Sequence, residues 1–460
     1  MSGRVNKRGD FRRNGGTRRA VQAVMITVLL ATTATQARPV PKGKPATKEP
    51  ASTPRVNREI SGAVNTRAGE RLVLSTDLGC IQIHTRDTDR VEYHAVLSTD
   101  ASKPDAQEVL QHFNLVARPE VGRVIIRGQV SSSKLSGRLW VTFNVTVPRK
   151  YNLELATRGG NINSDDVDGG VSLATTGGNI SIGDVEGAAK LETGGGHITV
   201  RNVGGDLTAV TGGGHIVAGH VAGAATLRTG GGHIRVASIG GIAHLGTGGG
   251  NVSVEKVGKE LFADTGGGQI EVGEAAGIVR ARTAGGGIRV VRASGPATLE
   301  SSSGSIYLTQ VDSPVRATTS AGGITAWFGN AAKLGGGCEL QSSDGDIVVY
   351  IPKELPITID ASIQLGGAHG FIVDPALPIK VSYEDESNGK HVIRAAGELN
   401  GGGDRLRLRT VAGNIRLVLS DTARQVKIYK LQMEQLERKL AELQEQKEET
   451  EKTDGPPGGN

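Results

Sequence analysis

Aromatic side chains are scarce in this chain, with six Tyr, six Phe and two Trp among 460 residues. That leaves little stacking surface for sugar rings and points to a thin core of stacked aliphatics. Cysteine is confined to Cys80 and Cys338. The two flank the repeat described below, so they are expected at opposite ends of it. They would lie beyond the ~7 Å Cα separation that a disulfide allows, and both are expected to be buried small apolar residues. No G-x-S-x-G elbow and no H-E-x-x-H occurs, and no catalytic residues are assigned. A basic body is also missing. Residues 1–56 carry 12 Lys/Arg against 2 Asp/Glu, so from a chain total of +6 the remainder, 57–460, is left at −4. A basic nucleic-acid face therefore has no support, and no nucleic-acid partner is expected.

What is abundant is glycine, 68 of 460 residues, about twice the usual share. It is mixed with Ile, Val and Leu, so the chain has apolar surface to bury and is not expected to be disordered. The N-terminus reads as an export signal. Arg4, Lys7, Arg8, Arg12, Arg13, Arg18 and Arg19 precede an apolar run from Val21 to Ala31, and Ala34-Thr35-Gln36-Ala37 ends in small residues. Residues 1–37 are thus expected to be a signal peptide or an N-terminal anchor. Residues 38–56 form a Pro/Lys-rich linker. After the leader, no second segment approaches the roughly 20 apolar residues of a spanning helix.

The central pattern is a repeat. R-G-G-N-I ends at Ile162 and T-G-G-N-I at Ile180. G-G-G-H-I ends at Ile198, Ile216 and Ile234, and G-G-G-N-V at Val252. G-G-G-Q-I, A-G-G-G-I, S-S-G-S-I and S-A-G-G-I end at Ile270, Ile288, Ile306 and Ile324. Each step is 18 residues, nine times running, without insertion. A fixed short period means one structural unit stacked many times. Within a copy two short period-2 apolar runs are separated by Gly clusters, which reads as strand–turn–strand–turn. The predicted fold is all-β: a single-stranded β-solenoid, or β-helix, of about ten 18-residue coils spaced ~4.8 Å apart. A β-rich N-terminal cap and a C-terminal α-helix complete it.

Equivalent residues then stack in columns. Ile/Val at 162, 180, 198 and onward points inward, as do Ile182, Val200, Ala218 and Val236. Thr157, Thr175, Thr193, Thr211, Thr229 and their successors form a hydroxyl column whose members can hydrogen-bond along the stack. The glycines that follow are expected to permit positive φ and to let coils approach closely. A phosphate cradle would follow a strand and open a helix, and no copy is followed by a helical pattern, so nucleotide binding is not expected.

The residue before the inward Ile or Val runs Asn161, Asn179, His197, His215, His233, Asn251, Gln269, Gly287 and Ser305. His197, His215 and His233 are the candidate metal ligands. Because Asn and Gln fill the same column and no Cys, Asp or Glu column adjoins it, a polar ladder is expected in their place, with no metal and no cofactor. Calcium-binding β-rolls place Asp where this chain has Arg235. Glycoside hydrolysis needs paired carboxylates facing a groove, whereas Asp184, Glu186, Asp206, Glu255, Asp264 and Glu271 fall in scattered columns. The chain is therefore not expected to be an enzyme.

Residues 57–150 are expected to cap the N-terminal end. Within them Leu78-Gly79-Cys80-Ile81 looks like a degenerate corner. Residues 151–330 are the regular solenoid. Residues 331–420 continue it irregularly, and Thr410-Val411-Ala412-Gly413-Asn414-Ile415 restores the phrase as a closing coil. Val426, Tyr429, Met433, Leu436, Leu440 and Leu443 alternate by three and four, so 421–452 reads as a heptad helix and 453–460 as a disordered tail. That helix either caps the solenoid or joins chains. The charges around its narrow seam favour a homo-oligomer through residues 426–443.

The run Val145 to Ile162 (V-T-V-P-R-K-Y-N-L-E-L-A-T-R-G-G-N-I), the G-G-x-I corners after it, and Leu406 to Leu417 (L-R-L-R-T-V-A-G-N-I-R-L) resemble the bacterial putative adhesin family. This is a β-solenoid domain of unknown function, and the likeness covers roughly residues 60–420. Its motifs are architectural and bring no catalytic residues. The resemblance implies an exported adhesin or envelope interaction protein, at the periplasm or cell surface, whose partner is an envelope component. The alternative is a ligand-binding or carbohydrate-active solenoid using the stacked His/Asn face.

Overall fold

The computed structural model describes residues 54–131, 139–329, 334–365, 369–385 and 391–420, together with Arg438. The expected leader over 1–37, most of the linker, the heptad segment apart from Arg438, and the tail lie outside the described residues.

Alternation of apolar and polar residues dictates the unit. In one copy the strand Leu207–Thr211 buries Leu207, Ala209 and Thr211. The corner Gly212–His215 follows. The strand Ile216–Val221 then buries Ile216, Ala218 and Val221. The change of spacing from two to three after Ala218 marks a bend. Copy pairs with copy in parallel, Leu207 opposite Ala225 and Ile216 opposite Ile234. The same 18-residue offset holds from Leu153 opposite Val171 to Ala297 opposite Val315. The result is all-β, with long parallel sheets stacked as in a solenoid and an aliphatic core between them. Each buried Ile, Val or Leu contributes roughly 1.5–3 kcal/mol relative to exposure.

The corner holds the copies in register. The Thr229 hydroxyl donates to the Gly214 carbonyl of the preceding coil at 2.8 Å and accepts the Gly232 N–H of its own coil at 3.1 Å. The same pair of bonds recurs at Thr193, Thr211, Thr247 and Thr265. Ser301 makes it with a serine hydroxyl. These hydroxyls are buried, and each satisfies two buried backbone groups.

The structure keeps one of the two reasons expected for the glycines and corrects the other. Positive φ is found at Gly79, Gly322 and Gly345, not in the triplets from Gly194 to Gly268. Close approach is what those triplets need. A Cβ on Gly232 would run into the carbonyl oxygen of Gly214, and Gly214, Gly250 and Gly268 meet the same obstacle. The middle glycine is different, since a Cβ on Gly231 meets nothing within 4 Å.

Both ends depart from simple succession. At the N-terminal end the strands Arg71–Thr76 and Cys80–Arg86 do not merely cap. They form a coil lying between Arg123–Val130 with Leu139–Pro148 on one side and Asn152–Thr157 with Ile162–Ser164 on the other. The reason is shared corner chemistry: Ile81 stands opposite Ile162, and the Thr157 hydroxyl donates to the Gly79 carbonyl at 2.8 Å. Antiparallel strands cover the outer edges, Arg90–Asp100 on Leu139–Pro148, Arg55–Asn65 on Arg90–Asp100, and Phe113–Glu120 on Arg123–Val130. A short helix, Ala106–Gln111, packs there.

The C-terminal end repeats the device. The coil Asp404–Ala412 with Ile415–Ser420 is not the closing one. It is inserted between Cys338–Asp344 with Ile347–Pro352 and Ile357–Ile363 with Phe371–Val373. The antiparallel strands His391–Leu399 and Ile379–Asp385 lie beyond it. Both cysteines are free thiols. Cys338 is buried, and burial pushes its thiol up to about 11. Cys80 is only half-buried, because it sits at the outward position just before Ile81.

The two glycine environments give opposite outcomes for one added methyl. Gly231→Ala is expected to be neutral or stabilising by up to about 1 kcal/mol, because it restricts the unfolded chain without strain. Gly232→Ala is expected to cost more than about 2 kcal/mol, by forcing two backbones apart. Urea unfolding midpoints of the two variants check this, and equal midpoints would contradict the corner geometry.

Candidate functional site

The outward residue before each inward Ile forms the candidate site. His197, His215 and His233 are brought together as expected. Their rings stack at centroid distances of 4.9 Å with interplanar angles of 15° and 8°. All three are exposed. The ladder is built by backbone amides. The His215 N–H donates to His197 Nδ1 at 2.9 Å, the His233 N–H to His215 Nδ1 at 2.8 Å, and the Asn251 N–H to His233 Nδ1 at 2.8 Å. Asparagine does the same with its carbonyl oxygen. Asn161 Oδ1 accepts from Asn179, Asn179 Oδ1 from His197 and Asn251 Oδ1 from Gln269. Asp346 takes the equivalent place at the far end, accepting the Asn414 N–H at 2.7 Å.

These bonds decide the chemistry of the imidazoles. An Nδ1 that accepts an N–H bears no proton, so the neutral ring carries its proton on Nε2. For Nε2 to bind a metal, the proton would have to move to Nδ1, directly against a backbone donor. The ladder and metal ligation by these rings are thus mutually exclusive. Among the described residues no three His, Cys, Asp or Glu side chains are grouped to hold a metal ion.

Other outward columns carry side chains the sequence did not single out. His244 stacks on Phe262 at 4.7 Å and 10°, and Arg280 lies 5.5 Å from the Phe262 ring centre on the next coil. Both faces of that ring are therefore spent within the column, leaving no platform for a sugar. Trp327 and Tyr350 stack at 4.8 Å and 4°. The outward parity of 244, 262 and 280, each 18 apart, was the available signal. The acidic residues stay dispersed. Arg201 pairs with Asp184 at 2.7 Å and holds its carboxyl below the usual range, and Asp206 accepts the Ala224 N–H at 2.8 Å. An open trough near the first copies includes Asp77 and Arg158, which pair with each other at 3.5 Å.

Parallel sheets stacked through Thr–Gly corners define the class as an all-β solenoid with polar ladders on its outside. Within the chain, residues 242–417 match the model of the Toastrack DUF4097 family. Among solved structures, three similar ones are distant in sequence. A "putative cell adhesion protein" from Clostridium sporogenes ATCC 15579 is 8% identical, with 79% of this chain and 100% of that one covered and a TM-score of 0.16. A "putative adhesin" from Bacteroides fragilis NCTC 9343 is 10% identical, covering 78% and 97%, with a TM-score of 0.22. A "putative lipid binding protein" from Parabacteroides distasonis ATCC 8503 is 12% identical, covering 60% and 91%, with a TM-score of 0.24. No curated protein sequence matches the chain.

The ladder makes stability depend on pH. Partial desolvation of its ring, which is stacked between two others although its edge is exposed, and then the neighbouring His197, His233 and Arg235, lower the pKa of His215 from its ordinary 6.5. The unfolded chain consequently takes up more protons than the folded chain as pH falls below 6.5. This contribution is complete above that pH and is lost as pH drops toward the folded value. The urea midpoint is expected to fall between pH 7.5 and 5.5, and His215→Asn is expected to lessen that fall. A midpoint of His215→Asn that falls as steeply as the parent's would contradict it.

Proposed function

We propose that this chain is an exported, non-enzymatic β-solenoid rod of about ten 18-residue coils, acting as an adhesin or interaction protein of the cell envelope. One observation carries the reading: chemistry on the outside is arranged in columns repeated along the stack, not converged into a cleft. Such a surface suits contact with something extended. The charged-then-apolar leader supports export to the periplasm or cell surface, with the N-terminal segment as anchor if it is retained. The partner would be an envelope component. A heptad helix over 421–452 would join chains through residues 426–443. The ligand-binding reading of the His/Asn face is favoured by one further observation, the N–H groups that its ladder leaves outward. The carbohydrate-active form of that reading loses support from the covered faces of Phe262 and the dispersed carboxylates.

Fractionation of producing cells, with N-terminal sequencing and light scattering of the purified protein, tests this reading. Recovery in the envelope or exterior fraction is expected, as an oligomer that becomes a folded monomer when residues 421–460 are deleted. Full-length protein confined to the cytosol would overturn the envelope assignment. A full-length monomer would overturn the joining role of the heptads.

A further inference from the structure

The ladder sorts donors from acceptors. Oδ1 of Asn161, Asn179 and Asn251 and Nδ1 of His197, His215 and His233 each accept a backbone N–H from the next coil. What the imidazoles have left is Nε2–H alone, while each asparagine has its amide N–H groups left beside the second lone pair of Oδ1. None of these makes a hydrogen bond to another described residue, and all six side chains are exposed. The outer edge therefore presents an unused donor at six successive positions. The spacing at the histidines is 4.9 Å, which makes the row about 24 Å long at the usual inter-strand distance.

The surroundings have the same polarity. Arg228 lies just before the corner of the His233 coil and Arg235 just after it. The acids in their own columns are two coils away, Asp264 beyond Gly246 and Glu271 beyond Ser253, or about 10 Å, and of the two Glu271 acts on Arg235. Glu192, nearer the start of the row, is paired with Lys190 at 3.0 Å. A row of donors with Arg235 close enough to act on His215, and Arg228 in the column before the corner, calls for an acceptor-rich anion.

We propose that this edge binds a linear acidic polysaccharide, a polyuronate, lying along the stack. Each sugar of such a chain brings a carboxylate and hydroxyl oxygens, and its advance per residue is comparable with the coil spacing. An extended acidic peptide fits less well. Its same-side carboxylates recur every second residue, about 6.8 Å, and drift out of step with the row. The site rests on the envelope reading above, since such polymers are met outside the cell, but binding by purified protein is measured independently of where the protein resides.

The test is calorimetry of the full chain with oligogalacturonate, its methyl ester, and poly-glutamate. Oligogalacturonate is expected to bind, with the ester and poly-glutamate at least about tenfold weaker. The joint variant His197→Asn, His215→Asn, His233→Asn keeps every outward donor and is expected to bind within about threefold of the parent. His215→Asp keeps the backbone acceptor, as Asp346 does, but turns a central donor into an anion. It is expected to remain folded and lose about tenfold or more in affinity. Arg228→Ala with Arg235→Ala is expected to weaken binding likewise. Absence of oligogalacturonate binding, equal or tighter binding of poly-glutamate or of the ester, or unchanged affinity in His215→Asp would each overturn the proposal. If His215→Asp fails to fold, the Arg228→Ala, Arg235→Ala pair decides it, and unchanged affinity there overturns it. Cytosolic localisation with intact binding would remove the envelope reading and leave the site standing.

Discussion

The structure depends on one contact, the approach of a corner glycine to the carbonyl of the corner beneath it. At Gly232 there is no room for a Cβ, and the Thr229 hydroxyl ties the same two coils together from inside. The two constraints act on the same atoms. The carbonyl that receives the hydroxyl is the one a Cβ would strike, so the hydroxyl bond forms only if the glycine is kept. An insertion at this corner would misplace both. This accounts for an unvarying 18-residue offset through the pairings from Leu153 to Val315, while outward positions hold residues as different as Val217, Arg235 and Glu271.

A stack built this way has ends that would template further strands. The chain solves this alike at both ends, in opposite chain order. At the N-terminal end the inner coil is laid first, and the outer coil with the antiparallel strands paired to it later. At the C-terminal end the outer coil and its antiparallel strands come before the chain returns to insert the inner coil. Residues 71–86 are held between 123–148 and 152–164, and residues 404–420 between 338–352 and 357–373. An inserted coil is paired on both sides, so peeling from either end must first displace the coil outside it. The contacts involved are far apart in sequence, which is slow to form but hard to lose by local fraying.

Much of this was legible because it is periodic. The Ile/Val columns, the hydroxyl column and the His/Asn column follow from a period of 18 and strand parity alone. The corner at Gly79 could be read from Thr76-Asp77-Leu78-Gly79-Cys80-Ile81, which keeps the spacing of Thr, Gly and Ile. What could not be read is spatial order. The motif at Thr410 has the same form whether its coil closes the stack or is inserted in it, because the motif specifies a corner and not a neighbour. Of the two roles expected of the corner glycines, close approach holds and positive φ is not used in the triplets from Gly194 to Gly268. At the candidate site the histidine column was visible, but its polarity was not. Only the backbone amides reaching Nδ1 show that the imidazole acceptors are used and their donors left over.

Amide hydrogen exchange tests the corner most directly. If the Thr–Gly ladder holds the stack, the N–H groups of Gly214, Gly232 and Gly250, bonded to threonine hydroxyls, should exchange only through global opening. Those of His215, His233 and Asn251, bonded to imidazoles, should also be protected. Gly213, Gly231 and Gly249, one residue away, should exchange near the rate of a free peptide. Uniform exchange across each glycine triplet would contradict the account.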